Sequence, residues 1–413
     1  MAKPQIVTGL DIGTNTIKLL VAQKKGAEWE VLAYSQMPSF GLRRGAVVNV
    51  EETSKNVQSL ISGVERDYDI KINSVFVNIG GSHLYVAPSD GLISVSRADH
   101  IISEEDIERV LQATRAINIP LNEEILDVFP NEFIIDDQKG IKQPLGLVGV
   151  RLEAKVILLC YFQSYFINLT QAVLNSKLQI DDIIPSPLAA SKAVITPQQK
   201  EIGVALIDIG SATTSLAVFE EGDLIHLAIF PLGSANITND IAIGLKTEVA
   251  IAEDIKKQYG SCSYVKSGKE NKDQSKKKIE AIDKSYSVSF TKKSLVDIIE
   301  PRVSEIFELM QKELKKIGRQ ELLPGGVVLT GGGAKLPGIK DLAKQHLKLP
   351  CQIGIPRGIL GLEKDPALAT VTGLILGSSD FDNSQKDGIM SLPWEFIKKF
   401  NFNFKRMFRV FIP

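Results

Sequence analysis

The chain has 413 residues with 48 basic and 49 acidic side chains, a net charge of −1, and apolar and charged fractions of 44% and 23%. This length predicts two or more lobes rather than one domain. The near-zero net charge provides no overall basic field that would attract nucleic acid, so we expect no nucleic-acid partner. Three widely spaced cysteines argue against a disulfide framework or zinc site and favour a reducing compartment. Without a basic-then-apolar leader or an apolar run of about 20 residues, we expect a cytoplasmic protein that does not span a membrane.

The first elements in chain order are predicted to be three strands. Residues 5–34 alternate apolar runs with turn residues, which is typical of a β-meander. Residues 84–162 then mix short strands with one strong helix, SEEDIERVLQATRAI, whose N-cap is Ser103. That stretch contains no phosphate-type loop. We therefore expect it to form a small separate domain.

A repeated motif contains the residues that are candidates for binding phosphate and metal. GLDIGTNTIKLL at residues 9–20 returns as GVALIDIGSATTSLAV at residues 203–218, so Asp208 follows Asp11 by 197 positions. In each copy an apolar strand ends at Asp-Ile-Gly, followed by hydroxyl-bearing residues and a second strand. A repeat at this spacing predicts two similar α/β lobes rather than a solenoid.

Each hairpin offers groups suited to phosphate and metal. Backbone N–H groups and hydroxyls in a glycine turn donate to phosphate oxygens, and a strand-end aspartate holds Mg²⁺ through water because Mg²⁺ loses water reluctantly. One hairpin alone could be a plain capped turn, but the repeat favours two jaws around a phosphate. Asp11 and Asp208 are the metal candidates, and Asp208 is also the candidate that orients a hydrolytic water. The phosphate-binding candidates are Gly13, Thr14, Asn15, Lys18, Gly210, Thr213 and Thr214.

Three later stretches complete the second half of the predicted site. TGGGAKLPG places Gly331, Gly332 and Gly333 between a strand and a helix, where bare backbone leaves room for a flat group and the helix N-terminus favours an anion. AEDIKKQYG puts Glu253 and Lys256 on one helix face. A ribose could lie between them, although an ordinary solvated ion pair is the simpler interpretation. Residues 261–278 are lysine-rich and predict an exposed loop, and Pro301 predicts a break or start in a long helix.

The end of the chain has a different character. Residues 378–391 are typical of a linker, and residues 392–413 place basic side chains on one side of a helix and aromatic side chains on the other. This division predicts a helix lying in a membrane interface, bound reversibly to anionic lipid; a strand or a core-docking helix are the alternatives. The residues expected at the membrane are Trp394, Phe396, Lys398, Lys399, Phe400, Phe404, Lys405, Arg406, Phe408, Arg409 and Phe411.

Several stretches together resemble a known family. GLDIGTNTIK, SVFVNIGGSHL, IPSPLAASKAV, LIDIGSATTS, AEDIKKQYG, IIEPRVSEIF and LTGGGAKLPGI occur in an order similar to that of the actin, sugar-kinase and chaperone ATPases. More narrowly, residues 5–376 resemble the FtsA family of bacterial actin-like division proteins.

The resemblance implies an α/β, actin-like two-lobed ATPase fold with an inserted α+β domain and a C-terminal amphipathic helix. It implies a first lobe from residues 1–83 and 163–200, the inserted domain at 84–162, and a second lobe from 201–235, 236–300 and 301–377.

It also implies ATP and Mg²⁺ between the lobes, with Glu253 and Lys256 at the ribose and Gly331, Gly332 and Gly333 at adenine and phosphate. Arg302 and Glu305 would receive the C-terminal tail of the tubulin-like protein FtsZ. Self-association into filaments, contacts with other division proteins and attachment to the inner face of the cytoplasmic membrane complete the implied function.

Other functions remain open on the residues alone. A phosphotransferase or phosphatase of the same fold, such as a sugar kinase or a polyphosphatase-like enzyme, would use similar hairpins. An actin-like scaffold of pilus assembly and a structural protein with a decayed site are further alternatives. DIGSATTS lacks the acidic residue of DIGGGSTE-type hairpins, and no dedicated base is evident, so we expect slow ATP turnover at most.

Overall fold

Six strands build the sheet of the first lobe in the computed structural model, which describes residues 5–26, 28–263, 278–283 and 286–386. In spatial order they are β11 (Gln179–Pro185), β6 (Ser74–Ile79), β1 (Ile6–Ile12), β2 (Thr16–Lys25), β3 (Glu28–Pro38) and β19 (Ile359–Leu360). β1, β2 and β3 pair antiparallel, which confirms the predicted meander, and β6 lies parallel to β1. A short hairpin, β4 (Leu42–Arg43) and β5 (Ala46–Val47), follows β3.

Helices cover both faces of this sheet. α1 (Val50–Tyr68) and α3 (Gln163–Asn175) bury Leu60 and Leu169 against Leu10 and Ile12 of β1. The opposite face packs on α10 (Ala369–Lys386). Because successive residues of a strand face opposite sides of a sheet, β1 is buried on both sides, and this explains its nearly continuous apolar sequence.

The inserted domain is an antiparallel sheet with one helix. Its elements are β7 (Tyr85–Ser94), α2 (Glu104–Thr114), β8 (Glu123–Ile135), β9 (Gln138–Ile141) and β10 (Arg151–Phe162), with the strands in the order β7-β10-β8-β9. Ser103 caps α2 through a reciprocal capping box with Asp106, as the sequence predicts. The Nζ atom of Lys142 lies 3.0 Å from Glu221 and 2.8 Å from Asp223 of the second lobe and ties the two units together.

The second lobe repeats the architecture of the first. Its sheet is β14 (Asp223–Phe230), β13 (Thr214–Glu220), β12 (Val204–Ile209), β17 (Val327–Thr330) and β18 (Cys351–Ile353). One face packs on α6 (Ser234–Leu245), α7 (Val249–Tyr259), α8 (Lys292–Lys316) and α9 (Ile339–Leu347). The other face packs on α4 (Ser186–Val194), which α5 (Pro197–Ile202) follows in the chain. A hairpin of β15 (Lys278–Asp283) and β16 (Tyr286–Thr291) precedes α8.

Helix α8 runs through Pro301 without the predicted break. It begins after Thr291, whose side chain accepts a hydrogen bond from Ser294 N, and continues to Lys316 with the proline inside. Proline removes one helical hydrogen bond. Apolar residues buried on both sides of it, including Ile299, Val303 and Ile306, hold the helix against the sheet. Tertiary packing here outweighs the local preference.

The last described segment belongs to the first lobe, not to the second. β19 pairs with β3, and Leu368, Val371 and Leu374 pack against Val7 and Leu20. The sequence analysis places all of residues 301–377 in the second lobe, whereas the structure returns the chain to the first lobe from β19 onward. α10 also extends to Lys386, which makes residues 378–386 of the predicted linker helical.

Two helices cross where the lobes meet. A Cβ atom on Gly373 of α10 would overlap the carbonyl group of Ala189 of α4, so the two helix backbones are in direct contact. Small residues allow this close approach. α4 also packs on the second-lobe sheet, and the pair therefore links the two lobes behind the strand ends that carry Asp11 and Asp208.

Candidate functional site

The two DIG hairpins have the same backbone geometry. Ile12 pairs with Ile17 across β1 and β2, and Ile209 pairs with Thr214 across β12 and β13, leaving a four-residue loop in each case. Gly13 N donates to Thr16 O at 3.2 Å, and Gly210 N donates to Thr213 O at 2.9 Å. The predicted repeat is therefore confirmed down to the hydrogen bond of the turn.

The residue opposite each aspartate differs between the hairpins. Asp11 pairs across the ladder with Lys18, whose Nζ lies 2.8 Å from Asp11 Oδ2, and both side chains are about nine-tenths buried. Asp208 lies opposite Ser215, which brings no charge. Lys18, predicted to face phosphate, thus neutralises the aspartate of its own hairpin in this arrangement.

Asp208 has a strongly perturbed carboxyl group. Burial raises its pKa to about 6, with a further contribution from the negative charge of Asp11 and a smaller opposing effect of Lys18. The side chain nevertheless keeps some solvent exposure. The contribution of Asp11 to the pKa of Asp208 means that the two carboxyl groups, one from each lobe, lie within electrostatic range of each other. A carboxyl group whose pKa is raised by burial and by a second carboxylate is one whose charged form a divalent cation would stabilise.

A hydrogen-bonded chain that the sequence analysis did not single out supports the first hairpin from behind. Ile12 N donates to Asn78 Oδ1 at 2.7 Å, Asn78 Nδ2 donates to Ser186 Oγ at 3.0 Å, and Ser186 Oγ donates to Ile79 O at 3.1 Å. These contacts join the ends of β1 and β6 to the start of α4. Both residues lie in stretches that carry the family resemblance, SVFVNIGGSHL and IPSPLAASKAV, so the signal was present.

The triple glycine has two different physical roles. Gly331 has φ 83° and ψ 172°, a conformation open only to glycine, and a Cβ there would overlap Asp208 Oδ1. A Cβ on Gly333 would overlap Ile209. Both residues thus let the loop pack directly against β12, whereas only Gly332 has open space in front of it. The bare backbone surface that the sequence predicts for a flat group at all three glycines is therefore limited to Gly332.

The threonines of the two loops are not equivalent. Thr14 Oγ1 accepts a hydrogen bond from Gly45 N at 2.9 Å, and Asn15 beside it is exposed. Thr213 is partly exposed on the second loop. Thr214 is buried, and its hydroxyl donates to Leu232 O at 2.8 Å. The structure therefore does not bring the Thr214 hydroxyl to the loop surface, because β13 turns that side chain into the second lobe.

Glu253 and Lys256 form a semi-buried network rather than a solvated ion pair. Lys256 Nζ lies 2.7 Å from Glu253 Oε2 and donates to Thr238 Oγ1 at 2.7 Å and Ser234 Oγ at 2.9 Å. Burial would raise the pKa of Glu253, but hydrogen bonds from Lys256 and Thr238 outweigh it and lower that pKa. Burial lowers the pKa of Lys256, against the influence of Glu253. The ion pair of the simpler interpretation is present, but it is largely buried and not solvated; the contact of these residues with a ribose stays a prediction.

Arg302 and Glu305 lie together on α8. Arg302 donates to both carboxylate oxygens of Asp240 on α6, at 2.6 and 3.0 Å, and it also contacts Glu305. A bidentate arginine–carboxylate pair fixes both side chains. Arg302 is therefore also a link between two helices, a role that the sequence analysis did not foresee.

Comparison with known proteins now identifies the family. The family model described as cell division protein FtsA matches residues 205–373, and the model of the SHS2 domain inserted in FtsA matches residues 81–160. The cell division protein FtsA of Pseudomonas aeruginosa is 35% identical over 376 residues, covering 90% of this chain and 89% of that protein. The chain belongs to the FtsA family of cell division proteins. FtsA of Bacillus subtilis is 34% identical over 375 residues, covering 91% and 84%.

Solved structures of other proteins share the fold. The PilM-PilN type IV pilus biogenesis complex contains a chain with a TM-score of 0.64 and 18% identity, covering 90% of this chain and 98% of that one. MreB5 of Spiroplasma citri bound to ADP gives a TM-score of 0.57 and 13% identity, covering 93% and 99%. These likenesses confirm the actin-like fold, and the inserted domain marks the FtsA family within it.

The predicted membrane residues, 392–413, lie outside the described residues, as does most of the loop at 261–278. Within the described part of the chain, no helix has both the length and the apolar character needed to cross a bilayer.

Proposed function

We propose that this division protein binds ATP with Mg²⁺ between its two lobes. The observation that supports the proposal is the pair of equivalent hairpins, each with an aspartate at the end of its first strand. The effect of Asp11 on the pKa of Asp208, which is raised to about 6 chiefly by burial, adds to that support. Bound Mg²⁺ would supply positive charge to this carboxyl pair and to the phosphates. It usually keeps several waters, so two carboxylates are a sufficient protein contribution.

The remaining groups have roles that follow from their positions. Thr14 and Asn15 would offer donors to phosphate from the first loop, and Thr213 would do so from the second. The N–H groups of Gly13 and Gly210 close the two turns, so these glycines would contribute by letting phosphate approach the backbone. Lys18 would share its charge between Asp11 and the phosphates. The partly exposed edge of the Glu253 and Lys256 network would meet a ribose, and the open space at Gly332 would take the adenine.

Hydrolysis would be slow. Asp208 is the group we assign to orienting a water, through its place at the metal. Asn78 and Ser186, which support the first hairpin, are already hydrogen-bonded and are not bases at neutral pH. Nucleotide would then act mainly as a switch that fixes the two lobes and the contacts between subunits of a filament.

A test of the nucleotide site uses Asp11→Asn and Asp208→Asn in the full chain, with Asp67→Asn as the control because that carboxylate lies exposed on α1. We expect both site variants to lose Mg²⁺-dependent ATP binding by at least about 100-fold, since each removes a charge-assisted contact. The control should bind as the unmodified protein does. Equal Mg²⁺-dependent affinity in all four proteins would contradict the proposal.

We further propose that residues 392–413 attach the protein to the inner face of the cytoplasmic membrane and that α8 binds the FtsZ tail. Membership of the FtsA family supports a role among the cell division proteins. The separation of basic and aromatic residues onto opposite sides of a helix formed by residues 392–413 supports binding at a lipid interface. Many tails in one filament would bind far more firmly than one, through effective concentration.

Sedimentation with vesicles tests the attachment. Deleting residues 392–413 should abolish sedimentation with anionic vesicles, whereas the unmodified chain should sediment with anionic vesicles and much less with zwitterionic ones. Phe400→Ser combined with Phe404→Ser keeps every basic residue and should weaken binding by removing part of the apolar face. Undiminished sedimentation of the deleted chain would refute the attachment.

Binding of the FtsZ tail peptide needs a control for the structural role of Arg302. Arg302→Glu reverses the charge but also breaks the contact with Asp240. Asp240→Asn loosens the same contact and leaves the arginine charge in place. We expect the first variant to lose peptide affinity and the second to retain most of it. Equal losses would show that the helix contact, not the charge of Arg302, supports peptide binding.

A phosphotransferase or phosphatase is the alternative function. The second hairpin, DIGSATTS, has Ser215 opposite Asp208 where an extra carboxylate would assist catalysis. Rapid phosphate release with a small co-substrate and without assembly would favour the enzyme. A pilus scaffold role has only the shared fold behind it, at 18% identity.

A further inference from the structure

A turn with an unusual arginine lies beside the first phosphate loop. The β4–β5 hairpin reverses at Arg43-Arg44-Gly45-Ala46, with φ 50° at Arg44 and φ 80° at Gly45. Two successive positive φ angles are typical of a type I′ turn, whose first central position favours asparagine or glycine. Arginine at that position has a backbone conformation that its Cβ disfavours. The turn would form more readily with another residue at 44.

The turn is fixed to the phosphate loop by its own backbone. Gly45 N donates to Thr14 Oγ1 at 2.9 Å. A Cβ on Gly45 would lie 2.8 Å from Gly81 Cα, so the turn is wedged between the first phosphate loop and the glycine pair that follows β6. Arg44 is therefore held one residue away from a direct contact with Thr14, and its long side chain begins at the edge of the loop.

The positive charge of Arg44 is not neutralised by an acidic side chain among the described residues. Arg43 and Arg44 are both exposed, and neither forms an ion pair among the residues that the structure describes. Lys18, the other cation at this loop, is held by Asp11. A triphosphate bound at the first hairpin would bring more negative charge than Lys18 alone answers. Arginine is suited to that charge because its planar group donates several hydrogen bonds to phosphate oxygens.

We propose that Arg44 contacts the terminal phosphate of a nucleoside triphosphate and that the β4–β5 turn thereby distinguishes a triphosphate from a diphosphate. This inference rests on the proposed nucleotide site and adds to it a residue that senses the terminal phosphate. It explains why a strained arginine stands where asparagine would fit better. Arg44 would make no contact with a diphosphate, because the group it binds is missing.

The test compares ATP and ADP affinities of the full chain in the presence of Mg²⁺, by calorimetry. Arg44→Asn removes the charge and suits the positive φ, so the turn should form at least as well as before. We expect its ATP affinity to fall about tenfold or more, the range expected for losing a hydrogen bond to a charged group, and its ADP affinity to change less than about twofold. Arg43→Ala is the matched control, since it removes the same charge from a residue without positive φ.

Four outcomes decide the matter. A selective loss for ATP in Arg44→Asn, with little change in Arg43→Ala and an unchanged or higher unfolding temperature, supports the inference. Equal losses for ATP and ADP would instead indicate general attraction of anions and would overturn it. A loss as large in Arg43→Ala would also overturn the assignment to Arg44. Failure of the unmodified protein to bind either nucleotide would sink the proposed nucleotide site itself, and this inference with it.

Discussion

The two DIG hairpins share one backbone and differ in the residue that faces each aspartate. In the first, Asp11 has Lys18 opposite and forms a buried ion pair; in the second, Asp208 has Ser215 opposite and a pKa raised to about 6. The same turn therefore holds one neutralised carboxylate and one whose charge is disfavoured. A carboxylate that is largely shielded from water and has no ion-pair partner among the described residues costs stability in the protein without ligand. A cation bound at the proposed site would offset that cost.

The largest expected effect comes from breaking the pair of the first hairpin. Lys18→Met leaves Asp11 buried without its partner, which costs about 3–5 kcal/mol in comparable buried pairs. Asp11→Asn with Lys18→Met should recover much of that loss, because no charge then remains unpaired. Urea unfolding of the two single variants and the double variant measures the coupling. Additive losses would mean that Asp11 does not depend on Lys18.

Asp208→Asn should do the opposite and stabilise the protein without ligand. The raised pKa means that the folded state binds a proton more readily than the unfolded state, so stability falls as pH rises from about 4 to about 6. Removing the titrating group should gain up to about 3 kcal/mol at pH 7. Urea unfolding without nucleotide should show this gain at pH 7 and almost none at pH 4. A gain that is independent of pH would contradict the assigned pKa.

His83 gives the first lobe a pH dependence of the opposite sign. Burial lowers its pKa to about 4. Its Nε2 is buried in a small cavity beside Ile12 and Tyr165 and has no hydrogen-bond partner within the described part of the chain. The unfolded state therefore binds the proton more readily, and stability is lost as pH falls from 6.5 towards 4, by roughly 3 kcal/mol. His83→Phe should remove this part of the acid sensitivity, whereas the exposed control His100→Asn should not. An unchanged acid profile for His83→Phe would show that the ring is solvated.

The smallest effect separates the two threonine positions. Thr214→Val removes a buried hydroxyl that bonds Leu232 O, so we expect a loss of about 1–2 kcal/mol in stability with ATP affinity unchanged. Thr14→Val removes the acceptor of Gly45 N at the phosphate loop and should reduce ATP affinity with a smaller loss in stability. Unfolding and binding measurements on both variants compare the loops directly. A loss of ATP affinity in Thr214→Val with none in Thr14→Val would place Thr214, not Thr14, at the phosphate.

Periodicity and the repeat of one motif allowed much of the fold to be predicted. The meander, the capped helix after Ser103, the inserted domain and the equivalence of the two hairpins all follow from local patterns of apolar residues and turn formers, because such patterns act within a few residues. The sequence also indicated Asp11 and Asp208 as a pair, since the same short motif at a distance of half a chain implies the same structure twice.

Tertiary structure alone decided the rest. Packing between segments far apart in the chain determines three features of the fold. These are the crossing of α4 and α10, the return of residues 359–377 to the first lobe and the continuity of α8 through Pro301. Tertiary packing also determines three features of the site: the ion pair of Lys18 with Asp11, the burial of Thr214 and the position of Arg44 next to the residue that contacts Thr14. A pattern within one segment states which residues are apolar, but it contains no information on which distant group will satisfy a charge or a donor. That choice arises only when the lobes have folded and their strand ends meet.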